Sequence, residues 1–197
     1  MPKIVDYEAR RNEIAVKAVS IFVRDGFHEA NLSKIADLCG FGRTTIYKYF
    51  KNKDEIFIYT IEDVFSRLDR MTAAVVEDRE ASPSAKLETL LGLLVRKAVE
   101  EKDRMILILD ILLHPERKDP SSSVDAGAKV RALRAALERL IQDGIAAGEL
   151  KQVNAEAMAF TLFSLVEAAT VHNSIYGNFS LEETLGAAKA LLEGLRK

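Results

Sequence analysis

One cysteine, Cys39, is all the thiol this 197-residue chain carries. A single thiol excludes an internal disulfide and a cysteine-rich metal centre, and its apolar neighbours point to an inert, buried side chain rather than a redox sensor. Histidine is nearly as scarce. None of His28, His114 and His172 has a glutamate three residues before it, which removes the Glu-x-x-His pairs of di-metal helical bundles. Asp110 and His114 fall four apart, a spacing that suits a shared metal but more commonly serves a hydrogen bond on a helix face. No G-x-S-x-G, P-loop or G-x-G-x-x-G occurs. The sequence therefore offers no catalytic residue, no metal site and no cofactor site, and a non-enzyme is expected. No apolar run reaches the roughly 18 residues that span a bilayer, and the start MPKIVDYEARR lacks the apolar centre of a signal peptide, so a cytoplasmic protein with no membrane partner is expected.

What is present is a core and an uneven charge. Hydrophobic residues make up 48% of the chain, ample for packed helices. The net charge of −2 conceals a division: through Lys53 ten Lys and Arg face six Asp and Glu, whereas beyond it eighteen face twenty-four. A basic first quarter suits a domain that meets phosphates, although surface charge varies this much in proteins with no such partner.

The stretch NLSKIADLCGFGRTTIYKYFKNK, residues 31 to 53, is the most informative. Asn31 is a good N-cap, and Leu32, Ile35, Ala36, Leu38 and Cys39 share one helical face before Gly40, which can take the left-handed position that ends a helix. Ile46 and Phe50 repeat at i, i+4, so a second helix must start almost at once. Two short helices about a glycine turn make a helix-turn-helix unit. With Ile46 and Phe50 inward, Arg43, Thr44, Tyr47 and Lys48 point outward or flank the helix start, with no acid among them. Arg43 suits guanine O6 and N7, Lys48 a base or phosphate, Thr44 and Thr45 a phosphate or thymine methyl, and Tyr47 the sugar-phosphate backbone. Lys34 and Tyr49 complete the candidate contacts on this unit.

Residues 10 to 62 resemble the DNA-binding domain of the TetR family of bacterial transcriptional regulators. The ordered series Ala18, Phe22, Gly26, Phe27, Ile35, Ala36, Gly40, Thr45, Ile46, Tyr47, Tyr49, Phe50, Lys53 and Glu55 carries the likeness, above all within the run TIYKYFKNKDEIF. Gly42 departs from it, since the family often has a serine cap there. Beyond residue 62 the likeness lies in helical character and length alone. The resemblance implies an all-α fold: a three-helix DNA-binding domain over 1–52 and a helical effector-binding and dimerisation domain over 53–197. It also implies a ligand-responsive repressor, its partners a double-stranded DNA operator, a small-molecule effector and a second copy of itself. By analogy with the family, Lys53 at a helix start should hold a phosphate. A helical adaptor that binds proteins instead of DNA is the alternative.

The remaining pattern predicts about nine helices. Asp6 starts the first, which carries Ile14, Ala15, Ala18, Val19, Phe22 and Val23 to Gly26. Asn52 with Glu55 resembles a capping box opening a long fourth helix. Ser82 and Pro83 begin a fifth. Met105 to Leu113 reads as a short helix apolar on nearly every side, hence buried. A loop over 115–123 precedes helices from about Val124 to Ala147 and from Asn154 to about Tyr176; Ser180 and Glu183 cap a ninth. Candidates for lining an effector cavity are Phe65, Leu68, Met105, Leu109, Phe160 and Phe163, with His114, Glu167 and His172 as polar points. Such a lining suits a lipophilic or aromatic molecule. Gly186, Ala190 and Gly194 fall at i, i+4, i+8 and, with Ser164 and Ala168, form small-residue stripes. These serve either close packing between two copies or packing of the last two helices within one subunit.

Overall fold

The computed structural model describes residues 7–113, 125–176 and 180–197, apart from the side chain of Ile175. Among these residues the chain forms nine helices and no strand: α1 (Tyr7–Asp25), α2 (Leu32–Cys39), α3 (Arg43–Ile46), α4 (Lys53–Glu77), α5 (Pro83–Glu100), α6 (Lys102–Leu113), α7 (Ala126–Ala146), α8 (Ala155–Tyr176) and α9 (Leu181–Leu195). The all-α expectation holds. Asp6, His114, the 115–123 stretch, Val124 and Gly177 lie outside the described residues.

Helix starts follow from short polar side chains that accept an otherwise orphaned N–H, a contact worth about 1 kcal/mol each. Asn31 accepts from the Lys34 amide at 3.0 Å, Asn52 from Glu55 at 2.8 Å, Asn154 from Ala157 at 2.9 Å and Ser180 from Glu183 at 3.2 Å. The reciprocal half of the box at Asn52 is displaced by one residue, because Glu55 Oε2 accepts from the Lys51 amide at 2.7 Å. Gly40 closes α2 at φ 72°, a left-handed conformation that would cost another residue roughly 1–2 kcal/mol.

The described residues fall into two compact units: the chain up to Val64 together with the stretch from Ile106, and Phe65–Met105 with Asp125–Lys197. Helices α4 and α6 thus contribute to both. In the first unit α1 turns Ile14, Ala15, Ala18, Val19, Ile21 and Phe22 inward against Ile35 and Ala36 of α2, Ile46, Phe50 and Ile56. In the second, α5 is central, packing against α7, α8 and α9, and Leu87, Leu90, Leu91, Leu94 and Val95 are all buried. A Cβ at Gly144 would come within 2.7 Å of Leu150 Cδ1, so glycine is what lets the chain after α7 fold back on it. That returning strand-like segment meets the C-terminus: the Lys151 amide donates to the Leu195 carbonyl at 2.8 Å, and the Lys197 amide to that of Glu149 at 3.1 Å.

Three local expectations need correction. Leu38, assigned to the inner face of α2, is 47% exposed, because the core faces Ile35, Ala36 and Cys39 and leaves Leu38 at its edge. Helix α6 is only partly buried: Leu107 and Ile108 are inside, whereas Leu113 is 74% exposed. The second helix of the motif, read to Phe50, ends at Ile46 and continues in a tighter turn, with the amides of Lys48 and Tyr49 donating to the carbonyls of Thr45 and Ile46.

Candidate nucleic-acid interface

Within the first unit α2, the Gly40–Gly42 turn and α3 form the helix-turn-helix. Burial of Ile46 (fully) and Phe50 (1% exposed) fixes which side of α3 faces the core. The opposite side is then set by covalent geometry: Arg43, Thr44 and Lys48 are exposed, Tyr47 is 59% exposed, and Thr45 and Tyr49 lie half-buried beside them. The side chains of Arg43 and Lys48 have no ion-pair or hydrogen-bond partner among the described residues. Two unpaired cations beside hydroxyl groups and the positive end of a helix form a surface complementary to phosphate and to guanine edges. Gly42 caps α3 with no side-chain bond.

Other predicted contacts are already engaged. Lys34 is exposed at the start of α2, but its Nζ donates to Asp25 Oδ2 at 2.9 Å and to the Glu29 carbonyl at 3.3 Å. Arg24 and then Lys34 hold the Asp25 carboxyl well below the usual carboxylate range. Lys53, at the first position of α4, donates to the carbonyls of Phe27 and His28, both at 2.7 Å, and its Nζ lies 4.7 Å from the Phe27 ring centroid. An ammonium has three donors, so one N–H of Lys53 remains for a phosphate. Cys39 is a free, buried thiol whose pKa burial pushes up, as an inert core residue requires.

The residues assigned to an effector cavity do not stay together. Phe65, Leu68 and Phe163 are buried, Met105 and Leu109 half-buried, and His114 lies outside the described residues. Phe160 is 57% exposed, and Glu167 and His172 are also exposed, so these three stand on the outward face of α8 rather than inside the unit. The reason is periodic: Phe160 and Glu167 recur at helical spacing with Ser164 and Ala168, for which the sequence left open a second copy or the same subunit as partner, and Ala168 is exposed with them. Asn173 is buried, and its Nδ2 donates to the Val99 carbonyl at 3.1 Å in the last turn of α5. A cavity of about 390 Å³ in the first unit is lined mainly by Phe22, Val23, Phe27, Ile106 and Leu107, and a groove of about 280 Å³ runs between α5 and α9. None of Phe65, Leu68, Met105, Leu109, Phe160, Phe163, Glu167 and His172 borders either, although Leu91 lines the groove and Asp110 the cavity.

The α8 face bearing Phe160 also exposes Val171 (39%), Tyr176 is 64% exposed at the end of the helix, and on α9 Leu191 is 53% exposed beside Gly186, Ala190 and Gly194. A Cβ placed on Gly186 or Gly194 would meet nothing within 4 Å. Among the described residues Gly186 and Gly194 therefore face open space. No helix among the described residues is long and apolar enough to cross a membrane.

Two family models match the sequence: "Bacterial regulatory proteins, tetR family" over residues 14–60, and "Tetracyclin repressor-like, C-terminal domain" over residues 119–186. Among characterised and uncharacterised relatives, an HTH-type transcriptional regulator of Bacillus subtilis, YdgC, is 29% identical over 56% of this chain and 57% of its own length. The fatty acid metabolism regulator protein of the same organism is 25% identical over 71% of this chain and 70% of its own. The chain thus spans little more than half of the first and over two thirds of the second. In fold it is similar to the ketosteroid transcriptional regulator KstR2 of Mycobacterium tuberculosis, with a TM-score of 0.79 at 18% identity and 95% of each chain covered.

Proposed function

Because the chain belongs to the TetR family of bacterial regulatory proteins, we propose that it is a cytoplasmic, non-enzymatic repressor that binds an inverted-repeat operator as a homodimer and releases it when a small lipophilic molecule occupies its C-terminal domain. The observation that carries this reading is the exposed, unpaired pair Arg43 and Lys48, set with Thr44 and Tyr47 on the outward side of α3. Residues 1–52, with Lys53 just beyond them, hold the DNA contact: Arg43 and Lys48 reach base edges, Thr44, Thr45, Tyr47 and Tyr49 fix the register on the backbone, and Lys34 and Lys53 approach phosphates from either side.

Residues 53–197 supply effector binding and pairing. Helix α8 is apolar around most of its circumference, yet among the described residues part of it stays uncovered, which leaves Phe160, Ser164, Ala168, Val171 and Tyr176 for a second copy. Glycine and alanine on α9 let the partner's helices approach closely. A two-fold pair of this kind sets its recognition helices about 34 Å apart, one helical turn of DNA, or a small multiple of it. Phe65, Leu68, Met105 and Phe163 are the candidate effector contacts. A regulator of fatty acid metabolism among the relatives supports a lipophilic ligand. The ligand acts by preferring a conformation in which the two recognition helices are wrongly spaced for the groove.

The test is selection of fragments from sheared genomic DNA by the purified protein, followed by sequencing. Enrichment of inverted repeats with half-sites one or two helical turns apart supports the proposal. Recovery of random fragments, independent of salt, would count against it and favour a protein-binding role.

A further inference from the structure

A recognition helix of one turn, Arg43–Ile46, is far below the ~12 residues an isolated helix needs to be even marginal in water. Its glycine cap adds nothing. Beyond the burial of Ile46 in the core, the start of α1 braces the chain on either side of α3. Tyr7 donates its hydroxyl to the Lys48 carbonyl at 3.2 Å, and its ring centroid lies 5.2 Å from that of Tyr49. Arg11 places its guanidinium 4.6 Å from the Phe50 ring centroid and 4.7 Å from that of Tyr59, while its Nη2 donates to Glu55 Oε1 at 3.2 Å. The other oxygen of Glu55 accepts from the Lys51 amide at 2.7 Å, and Arg10 covers Phe41 at 5.3 Å. Residues 7, 10 and 11 share one face of α1, and between them they touch the chain on both sides of α3.

We propose that Arg11, seconded by Tyr7, is a positioning residue for DNA recognition: it fixes the angle at which α3 presents Arg43 and Lys48 without touching DNA itself. This rests on the DNA-binding reading above. Only 20% of the Arg11 side chain is exposed, so the guanidinium is not free for a phosphate. The geometry also explains why arginine stands here. A planar guanidinium stacks on two rings and still donates within its plane, whereas a lysine ammonium cannot do both.

The test uses the full-length protein and the variants Arg11→Lys and Tyr7→Phe, the second of which removes only a hydroxyl from a half-exposed ring. Without DNA, the amide NMR signals of residues 43–51 should move in both variants while those of α2 stay in place. With DNA, Arg11→Lys should lose about tenfold or more in affinity for the selected operator, with affinity for scrambled duplex and the salt slope unchanged; Tyr7→Phe should lose about threefold. Unmoved amides with unchanged operator affinity would overturn the proposal. So would a salt slope reduced by about one unit, which marks a lost phosphate contact, or a loss on both duplexes in proportion to the unfolded fraction, which marks a stability role alone. Shifted amides in the variants, with a wild-type protein that itself binds no duplex, would instead overturn the DNA-binding reading, and the positioning role with it.

Discussion

Replacing Arg43 with alanine separates recognition from folding. The Arg43 side chain is exposed and has no partner among the described residues, and arginine and alanine are both good helix formers, so stability should change by no more than about 0.5 kcal/mol. Binding should change far more. A guanidinium bridging O6 and N7 of one guanine contributes about 1–3 kcal/mol of discrimination. A two-fold dimer carries two such contacts, hence roughly 2–6 kcal/mol, or about 30-fold to over 10,000-fold in Kd. Fluorescence anisotropy with a labelled operator and a scrambled duplex at one salt concentration measures the affinity, and urea denaturation measures stability in parallel. The expected result is a loss on the operator well above the loss on scrambled DNA, with an unchanged urea midpoint. Equal losses on both duplexes would reduce Arg43 to a phosphate contact, and an unchanged operator Kd would refute the assignment of this face.

Four further outcomes follow from named contacts. Lys53→Ala should weaken all duplexes alike and flatten the salt slope by about one unit through loss of a phosphate contact; a preserved slope would leave Lys53 only its two carbonyl bonds to Phe27 and His28. Gly186→Glu meets open space and improves helix propensity, so sedimentation should show a monomer with intact helicity, and a persistent dimer would remove the α9 stripe from the interface. Glu149 is held below its ordinary pKa first by the Ser84 hydroxyl and then by its amide. A depressed folded pKa gives stability that is complete above the unfolded value and disappears as pH falls through the folded one. Glu149→Gln should therefore lower Tm at pH 7, with the gap closing below about pH 4; an equal gap at both pH values would contradict this. Cys39 should react with an aromatic disulfide reagent only after denaturation, because burial both shields the thiol and raises its pKa; rapid labelling of the native protein would contradict it.

Much of the fold could be read locally. Asn31, Asn52, Ser82, Asn154 and Ser180 announce helix starts because a cap is a contact within three residues, and Gly26, Gly40 and Gly148 take positive φ at helix ends. The outward side of α3 followed from Ile46 and Phe50 alone. Contacts across long sequence distances left no such trace. Asn173 satisfies a carbonyl 74 residues away, Tyr7 one 41 residues away, and Lys53 two carbonyls in the turn after α1. An apolar residue on a helix that is apolar on several sides, such as Phe160, shows that something covers it but not whether the cover is its own subunit. The spacing 160, 164, 168 places Phe160 with Ser164 and Ala168, but small residues suit packing within one subunit as well as between two, so the spacing alone left the point open.

The central claim is that two copies of one basic helix face enter the major groove together. Titrating a labelled inverted-repeat duplex with the protein, over a series of salt concentrations and with the mass of the complex measured at saturation, tests it most directly. Two chains or a multiple of two per duplex, with log Kd rising linearly and steeply with log salt, is the expected result. A single chain per duplex, or an affinity that salt leaves unchanged, would contradict it.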